Sequence, residues 1–292
     1  MGRTPTGGLT VVGYAVVAYA VVAYAAFLAS SVWAVTFLAD LQLPRGIDHG
    51  ARQAPGVAVV VDVALLLLFA LQHSVMARHG FKRWLARWIP PHVERSTYVL
   101  ATSLVLLLLL WQWQPVGTWT WELHGVTAWA ILLLCALGWL IAIGSTFIVD
   151  HLDVFGVRRA YRHARGRPDL PAPFQERWLY GWVRHPLMLG LVVAFWSTPR
   201  MTAGHLLFAT AATGYILVGV RFEEHDLERE LGDLYRDYAS RVPAFLPVRR
   251  PTESRHRGAA VARDALMVGA PGSPSSSTSV LVAPPAGPEQ EG

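Results

Sequence analysis

Two long stretches of the chain carry no charged residue, and they constrain the fold more than any other feature. Thirty-six uncharged residues separate Arg3 from Asp40, and another 26 run from Ser96 to Trp121. A soluble domain cannot bury uninterrupted apolar segments of this length, whereas about 20 apolar residues in a helix cross a bilayer. Only 15% of the residues are charged, against about 25% in soluble proteins. The sequence therefore predicts an all-α, polytopic integral membrane bundle.

Six apolar segments are candidate spans, at about residues 9–39, 56–77, 97–114, 125–149, 186–199 and 201–220. The first is too long for the apolar region of a signal peptide, so we expect it to be retained. The fifth is the weakest, because 14 residues cover only about 21 Å in a helix, short of the hydrocarbon core of about 30 Å. Three alternatives are open for this span: it begins earlier and includes 178–183, it tilts little in the membrane, or it forms half of a tight hairpin with the sixth span.

Lysine and arginine are distributed unevenly over the connecting segments. Of the 25 such residues, 22 lie before the first span, in 78–95, in 150–185 or after residue 220. The positive-inside rule places these segments in the cytoplasm, and with them both termini. The formal charge of +5 is thereby explained by orientation in the lipid bilayer, and we expect no nucleic acid partner.

The domain organisation follows from a change in composition near residue 249. We expect 1–248 to form one membrane domain. Residues 249–292 are rich in Pro, Ser, Gly and Ala, with too little apolar surface to offset the entropy of ordering, so we expect a disordered tail. The single cysteine, Cys135, excludes an internal disulfide. We expect it to pack as a small hydrophobic residue.

Polar residues capable of chemistry gather at the predicted cytoplasmic ends of the spans. They form five clusters, Gln72-His73-Ser74, Glu94-Arg95-Ser96-Thr97-Tyr98, Ser145-Thr146 with Asp150-His151-Leu152-Asp153, Arg184-His185-Pro186, and Arg221-Phe222-Glu223-Glu224-His225-Asp226. Capping alone would distribute such residues over both membrane faces. The clustering predicts a site that opens to the cytoplasm and is framed by helix ends.

Arg184-His185-Pro186 indicates the start of a helix, because proline is favoured in the first turn. The free N–H groups and the dipole of a helix amino terminus favour an anion. Arg184 could hold a carboxylate or phosphate there with two hydrogen bonds. The alternative is that Arg184 only anchors the chain at the cytoplasmic surface.

Glu223 and Glu224 supply negative charge directly after the last span. Adjacent carboxylates repel unless a cation or donor lies opposite them. A ribose, an amine or a sulfonium-bearing cofactor would supply the partner for these carboxylates. The alternative is that they pair with Arg221 or Arg229.

Three polar residues within or near the spans have structural alternatives. Asp62 is expected to make a structural hydrogen bond to a tyrosine or tryptophan, although intramembrane carboxylates are often functional. His73 and His151 lie at one depth, but no histidine pair has the spacing of a metal site. We therefore expect no metal.

Short motifs in the carboxyl-terminal third resemble the signature of the isoprenylcysteine carboxyl methyltransferase superfamily of membrane enzymes. They are Arg184-His185-Pro186-x-x-x-Gly190, Glu223-Glu224-x-x-Leu227, Gly232-x-x-Tyr235-x-x-Tyr238 and Val242-Pro243. Met188 stands where the common form of the first motif has tyrosine, which points away from the prenyl-cysteine branch.

Longer motifs resemble the bacterial methanethiol S-methyltransferases within that superfamily. They include QHSVMAR at 72–78, ERSTYVL at 94–100, VRHPLMLG at 183–190 and Thr198-Pro199-x-Met201-Thr202-x-Gly204-His205. The resemblance covers roughly residues 10–248.

The resemblance implies methyl transfer from S-adenosylmethionine to the small volatile thiol methanethiol, in a bacterial inner membrane. It implies that the cofactor-binding residues are Arg184, His185, Pro186, Gly190, Glu223, Glu224 and Tyr235. The candidate catalytic residues are His185, His73 and Tyr98. Either histidine is a base of suitable pKa, and Tyr98 could contact the sulfonium. The alternative is catalysis by positioning and desolvation without a dedicated base.

Two other functions remain open at this point. One is a related membrane methyltransferase that acts on another thiol, a prenyl-cysteine carboxylate or a lipid amine. The other is a non-enzymatic membrane protein that binds haem or quinone or transports a solute.

Overall fold

The computed structural model of the protein describes residues 11–51, 53–168, 176 and 178–246. The predicted tail at 249–292 lies outside the described residues. The elements, in chain order, are α1 (Val11–Leu38), α2 (Pro55–Ala77), α3 (His79–Leu85), α4 (Pro91–Gln112), β1 (Trp119–Glu122), α5 (Gly125–Val149), α6 (His151–Val154), α7 (Val157–Ala164), a 3₁₀ turn (Trp178–Gly181), α8 (Pro186–Trp196), β2 (Arg200–Thr202), α9 (Ala203–Leu231) and α10 (Asp233–Arg241).

Five of these helices are long and apolar enough to cross a membrane, namely α1, α2, α4, α5 and α9. The predicted all-α membrane bundle is therefore confirmed, and the protein is a multi-pass membrane protein. The fifth predicted span is shorter than expected, because α8 has only 11 residues. α9 extends past residue 220, the predicted end of the sixth span, to Leu231, and Glu223 and Glu224 lie on this continuation of the helix.

Local sequence signals start several of the helices. Proline occupies the first turn of α2, α4 and α8, where its missing N–H is not needed. The Thr202 side chain accepts a hydrogen bond from the His205 backbone N–H at 3.1 Å and so caps α9.

α5 and α8 pack in close backbone contact. A Cβ atom on Gly190 would lie 2.5 Å from the carbonyl oxygen of Gly138 and 2.5 Å from the backbone nitrogen of Ala142. The two backbones therefore touch directly, as small residues allow in membrane helices. The Cys135 Sγ lies 3.6 Å from the Ala194 carbonyl at the same interface.

A short antiparallel sheet closes the end of the bundle where α4 ends and α5 begins. Its register pairs Trp119 with Thr202 and Glu122 with Arg200. Nearby, the buried Asp62 accepts a hydrogen bond from the Gln114 backbone N–H at 2.8 Å. The expected structural hydrogen bond of Asp62 is present, but its partner is the backbone and not a tyrosine or tryptophan side chain.

Candidate active site

The start of α8 is tied to the segment that follows α10. The chain reverses at Gly232, whose φ of +57° favours glycine, and α10 then leads to Pro243. The Arg184 N–H donates to the Pro243 carbonyl at 2.9 Å, and the His185 N–H donates to the Ala244 carbonyl at 3.2 Å. Two motifs 50 residues or more apart in the sequence thereby form one junction.

The Arg184 guanidinium joins three helices at this junction. Its Nε and Nη2 atoms donate to Oε1 of Glu224 on α9, at 2.9 and 2.5 Å. Its Nη1 atom donates to the carbonyls of Ala239 and Val242 at the end of α10, at 2.9 and 2.7 Å. Four of the five N–H donors of an arginine are thus engaged within the protein. The side chain is only 13% exposed.

His185 lies between the two glutamates. Its Nε2 atom is 3.2 Å from Oε1 of Glu224, and its Nδ1 atom is 3.6 Å from Oε2 of Glu223. Glu224 is therefore paired with Arg184 and His185. The alternative expectation, that it pairs with Arg221 or Arg229, is wrong. The His185 side chain is 6% exposed, whereas that of Glu223 is 52% exposed. Glu223 is the member of the group that a ligand can reach.

Tyr235 and Tyr238 of α10 are buried beside the junction. Burial raises the pKa of Tyr235 to about 12, with Glu224 adding to the shift and Arg184 opposing it. Its hydroxyl therefore stays protonated at physiological pH. The Tyr238 hydroxyl donates to the Tyr180 carbonyl at 2.7 Å, which ties α10 to the 3₁₀ turn.

Pro186 and Gly190 lie on the side of α8 that faces other helices. Pro186 is fully buried, and Gly190 contacts the α5 backbone. Both residues position the start of α8.

His73 and Tyr98 form a second polar cluster. The Tyr98 hydroxyl lies 2.9 Å from Nε2 of His73. Tyr215 of α9 also belongs to this cluster, and the sequence motifs did not indicate it. Its ring centroid lies 6.1 Å from that of His73, and its hydroxyl lies 3.0 Å from Oγ of Ser74. Tyr215 belongs to no motif, and only its polar hydroxyl in an apolar helix could have indicated a role.

The two clusters lie on different sides of α9. Tyr215 and Glu224 are nine residues apart, which corresponds to about 13 Å along the axis and about half a turn around it. Among the described residues, no contact joins His73 or Tyr98 to Arg184, His185 or the glutamates. The structure therefore groups the predicted site residues into two clusters.

His151 belongs to a third group, between the middle of α1 and the end of α5. Its ring nitrogens lie 2.8 Å from the Tyr24 hydroxyl and 2.8 Å from Oγ1 of Thr146. The ring stacks on Phe147 with centroids 4.2 Å apart. In the described part of the chain, no three His, Cys, Asp or Glu side chains are placed to hold a metal ion.

A cavity of about 580 Å³ opens at the opposite end of the bundle, between the start of α5 and the segment before β2. Its walls include Asp48, Trp129 and Arg200. It contains none of the predicted site residues.

Close relatives of the chain share most of its length. It is 52% identical over 225 residues to a methanethiol S-methyltransferase of Mycobacterium tuberculosis (strain ATCC 25618 / H37Rv), an alignment that covers 76% of this chain and 91% of the relative. It is 50% identical over 233 residues to methanethiol S-methyltransferase 2 of Bradyrhizobium diazoefficiens, with 79% and 90% covered. The chain belongs to the methanethiol S-methyltransferase family. The resemblance inferred from the motifs is thereby confirmed.

A more distant relative of the chain is Nurim of Bos taurus. The two are 32% identical over 191 residues, which cover 62% of this chain and 72% of Nurim. No protein-family model matches the chain, and no solved structure does.

Membership of a methyltransferase family implies a methyl donor. Glu223 and Glu224 face a single guanidinium, that of Arg184. Glu223 is the half-exposed carboxyl of the group.

Proposed function

We propose that the protein transfers the methyl group of S-adenosylmethionine to methanethiol, releasing dimethyl sulfide and S-adenosylhomocysteine. The observation that carries this proposal is the 44–52% identity to relatives named methanethiol S-methyltransferase. The membrane bundle agrees with an apolar, membrane-permeable acceptor, which can enter a site between helices from the lipid.

The cofactor is proposed to bind at the Arg184 junction. Its sulfonium and ammonium groups are cations, and Glu223 offers an accessible carboxylate to the ammonium or to a ribose hydroxyl. Since Arg184 has four of its donors engaged, we assign it mainly to positioning Glu224 and the start of α8. The amino terminus of α8, which begins at the buried Pro186, is the proposed partner of the cofactor carboxylate.

Methyl transfer requires that the thiol sulfur attack the methyl carbon in line with the carbon–sulfur bond that breaks. The thiol loses its proton, the sulfonium becomes a neutral thioether, and the methyl group moves from one sulfur to the other. We propose that positioning and exclusion of water supply most of the rate. His185, held by both glutamates, is the proposed proton acceptor.

His73 and Tyr98 are proposed to act on the acceptor side. They lie within the membrane-spanning helices α2 and α4 and hydrogen-bond to each other. Because this pair lies on the other side of α9 from His185, we assign it to the path by which the thiol arrives from the lipid and not to contact with the reacting atoms.

The function is tested with purified protein, S-adenosylmethionine and a panel of thiols, with dimethyl sulfide measured in the headspace and S-adenosylhomocysteine in solution. Equimolar formation of both products from methanethiol is expected. Turnover of a prenylated cysteine with none of methanethiol would assign the protein to the alternative methyltransferase class instead. Heat-treated protein is the control for spontaneous methylation.

The proposed location is a bacterial inner membrane with both termini in the cytoplasm. The support is the concentration of 22 of 25 basic residues in the segments assigned to that side.

A further inference from the structure

A group of basic residues lies away from the Arg184 junction, where α7 meets the first half of α1 and the start of α4. Ala160 of α7 is buried against Val16 and Ala20 of α1, and Val93 of α4 packs on the same cluster. α4 begins here, at Pro91, whereas Val16 and Ala20 lie one to three turns inside α1, so α7 lies at the end of the α4 span and beside the first half of α1. This is the level of the lipid headgroups.

A cavity of about 340 Å³ opens beside α7. Three arginines, two histidines and one carboxylate line it, namely Arg159, Arg162, Arg167, His92, His163 and Glu94. The carboxylate of Glu94 lies 3.8 Å from Nζ of Lys82 on α3, which offsets its charge. The cavity is therefore cationic.

The two histidines in this cavity are stacked. The rings of His92 on α4 and His163 on α7 have centroids 3.5 Å apart and planes inclined by 7°. Both rings line the cavity beside the arginines. An anion in the cavity would relieve the repulsion among the arginine guanidinium groups.

We propose that this cavity binds the phosphate of an anionic phospholipid in the leaflet where α1 and α4 begin. Guanidinium groups bind phosphate oxygens with paired hydrogen bonds, and basic pockets at the cytoplasmic membrane surface select anionic headgroups. The position of α7 favours a lipid over a soluble anion. Tyr161 of α7 is 43% exposed, and Arg165 lies 5.4 Å from its ring centroid. An exposed tyrosine of this kind is typical of the membrane interface.

The experiment uses the full chain purified in detergent and exposed to equal amounts of phosphatidylglycerol and phosphatidylcholine. Native mass spectrometry then counts the lipids that stay bound. The test variant is Arg162→Gln with Arg167→Gln. The matched control is Arg83→Gln with Arg87→Gln, which removes the same charge from exposed positions on α3 and just after it, outside the cavity.

We expect the unmodified protein to retain one phosphatidylglycerol in preference to phosphatidylcholine. The test variant should bind it about 30-fold more weakly, from about 1 kcal/mol for each arginine, and the control variant within about twofold of the unmodified protein. Circular dichroism confirms that both variants are folded. Equal retention by the two variants would overturn the proposal, since the basic residues would then act only through their total charge. Displacement of the lipid by excess inorganic phosphate would also overturn it, in favour of a site for soluble anions.

Discussion

Arg184 shows how a single residue can hold the candidate site together. Its side chain contacts Glu224 on α9 and two carbonyls at the end of α10, while its backbone N–H binds Pro243. Carbonyls at a helix carboxyl terminus lack partners within the helix and favour a cation. Only the forked guanidinium can serve the carboxylate and both carbonyls at once.

Replacement of Arg184 should therefore destabilise the protein before it alters chemistry. Arg184→Ala leaves the partly buried Glu224 with His185 alone and removes the donor to the Ala239 and Val242 carbonyls, so we expect the free energy of unfolding to fall by about 3–5 kcal/mol. Arg184→Lys should recover only part of this loss, because an ammonium cannot reach all three acceptors. Denaturant unfolding in detergent gives the values. Arg236→Ala is the control, since that arginine forms exposed pairs, and a comparable loss in this variant would contradict the prediction.

The partly buried carboxyl of Asp48, at the other end of the bundle, should make the stability of the protein depend on pH. Burial raises the pKa of this carboxyl, against a hydrogen bond from Thr202 that lowers it, and Asp40 adds to the rise. Because the pKa of Asp48 is raised in the folded state, the protonated carboxyl stabilises the fold at low pH. This contribution to the free energy of unfolding is lost as the pH rises through the folded-state pKa. Asp48→Asn still accepts from Thr202 and should raise Tm at pH 7, with a gain that shrinks toward about pH 4. A gain that is independent of pH would show that ionisation of Asp48 is not the cause.

At the scale of elements, α8 lies in direct backbone contact with α5 at Gly190. Gly190→Ala would place a Cβ atom 2.5 Å from the Gly138 carbonyl, so the helices must separate. We expect a loss of about 1–3 kcal/mol in unfolding free energy. Gly144→Ala on α5 is the matched control, because nothing lies within 4 Å of its added Cβ, and we expect it to be neutral or stabilising by up to about 1 kcal/mol. Similar behaviour of the two variants would show that the close contact is not limiting.

The sequence predicted the elements that depend on local composition and missed those that depend on distant partners. The spans follow from apolar runs, and Pro186 correctly indicated the start of α8. The early end of α8 could not be predicted, because the segment after it is held by β1, some 80 residues earlier. In the same way, the sequence indicated Arg184 and Glu224 as site residues. It did not indicate that the two side chains, 40 positions apart, bind each other.

For the whole molecule, the short α8 raises the question of how often the chain crosses the bilayer. α8 begins beside Glu224, near one end of α9, and β2 pairs with β1 at the opposite end of the bundle. Its 11 residues cover about 16 Å as a helix, and the six residues 197–202 add up to about 20 Å if extended. Together they exceed the hydrocarbon core of about 30 Å. Part of that segment is non-helical, which a membrane tolerates where the backbone is hydrogen-bonded within the protein. The Leu123 N–H donates to the Pro199 carbonyl at 2.8 Å and supplies one such bond.

We therefore predict six crossings, with both ends of the described chain on the same membrane face. In a Cys135→Ala background, Gly117→Cys between α4 and β1 should react with a membrane-impermeant maleimide added to intact cells. His79→Cys on α3 and Leu246→Cys at the end of the described chain should react only after permeabilisation. Both of these side chains are exposed, so a lack of reaction in intact cells reports the membrane barrier and not burial. Labelling of Leu246→Cys in intact cells would mean that α8 and the segment after it do not cross, because an odd number of spans places the two ends on opposite faces.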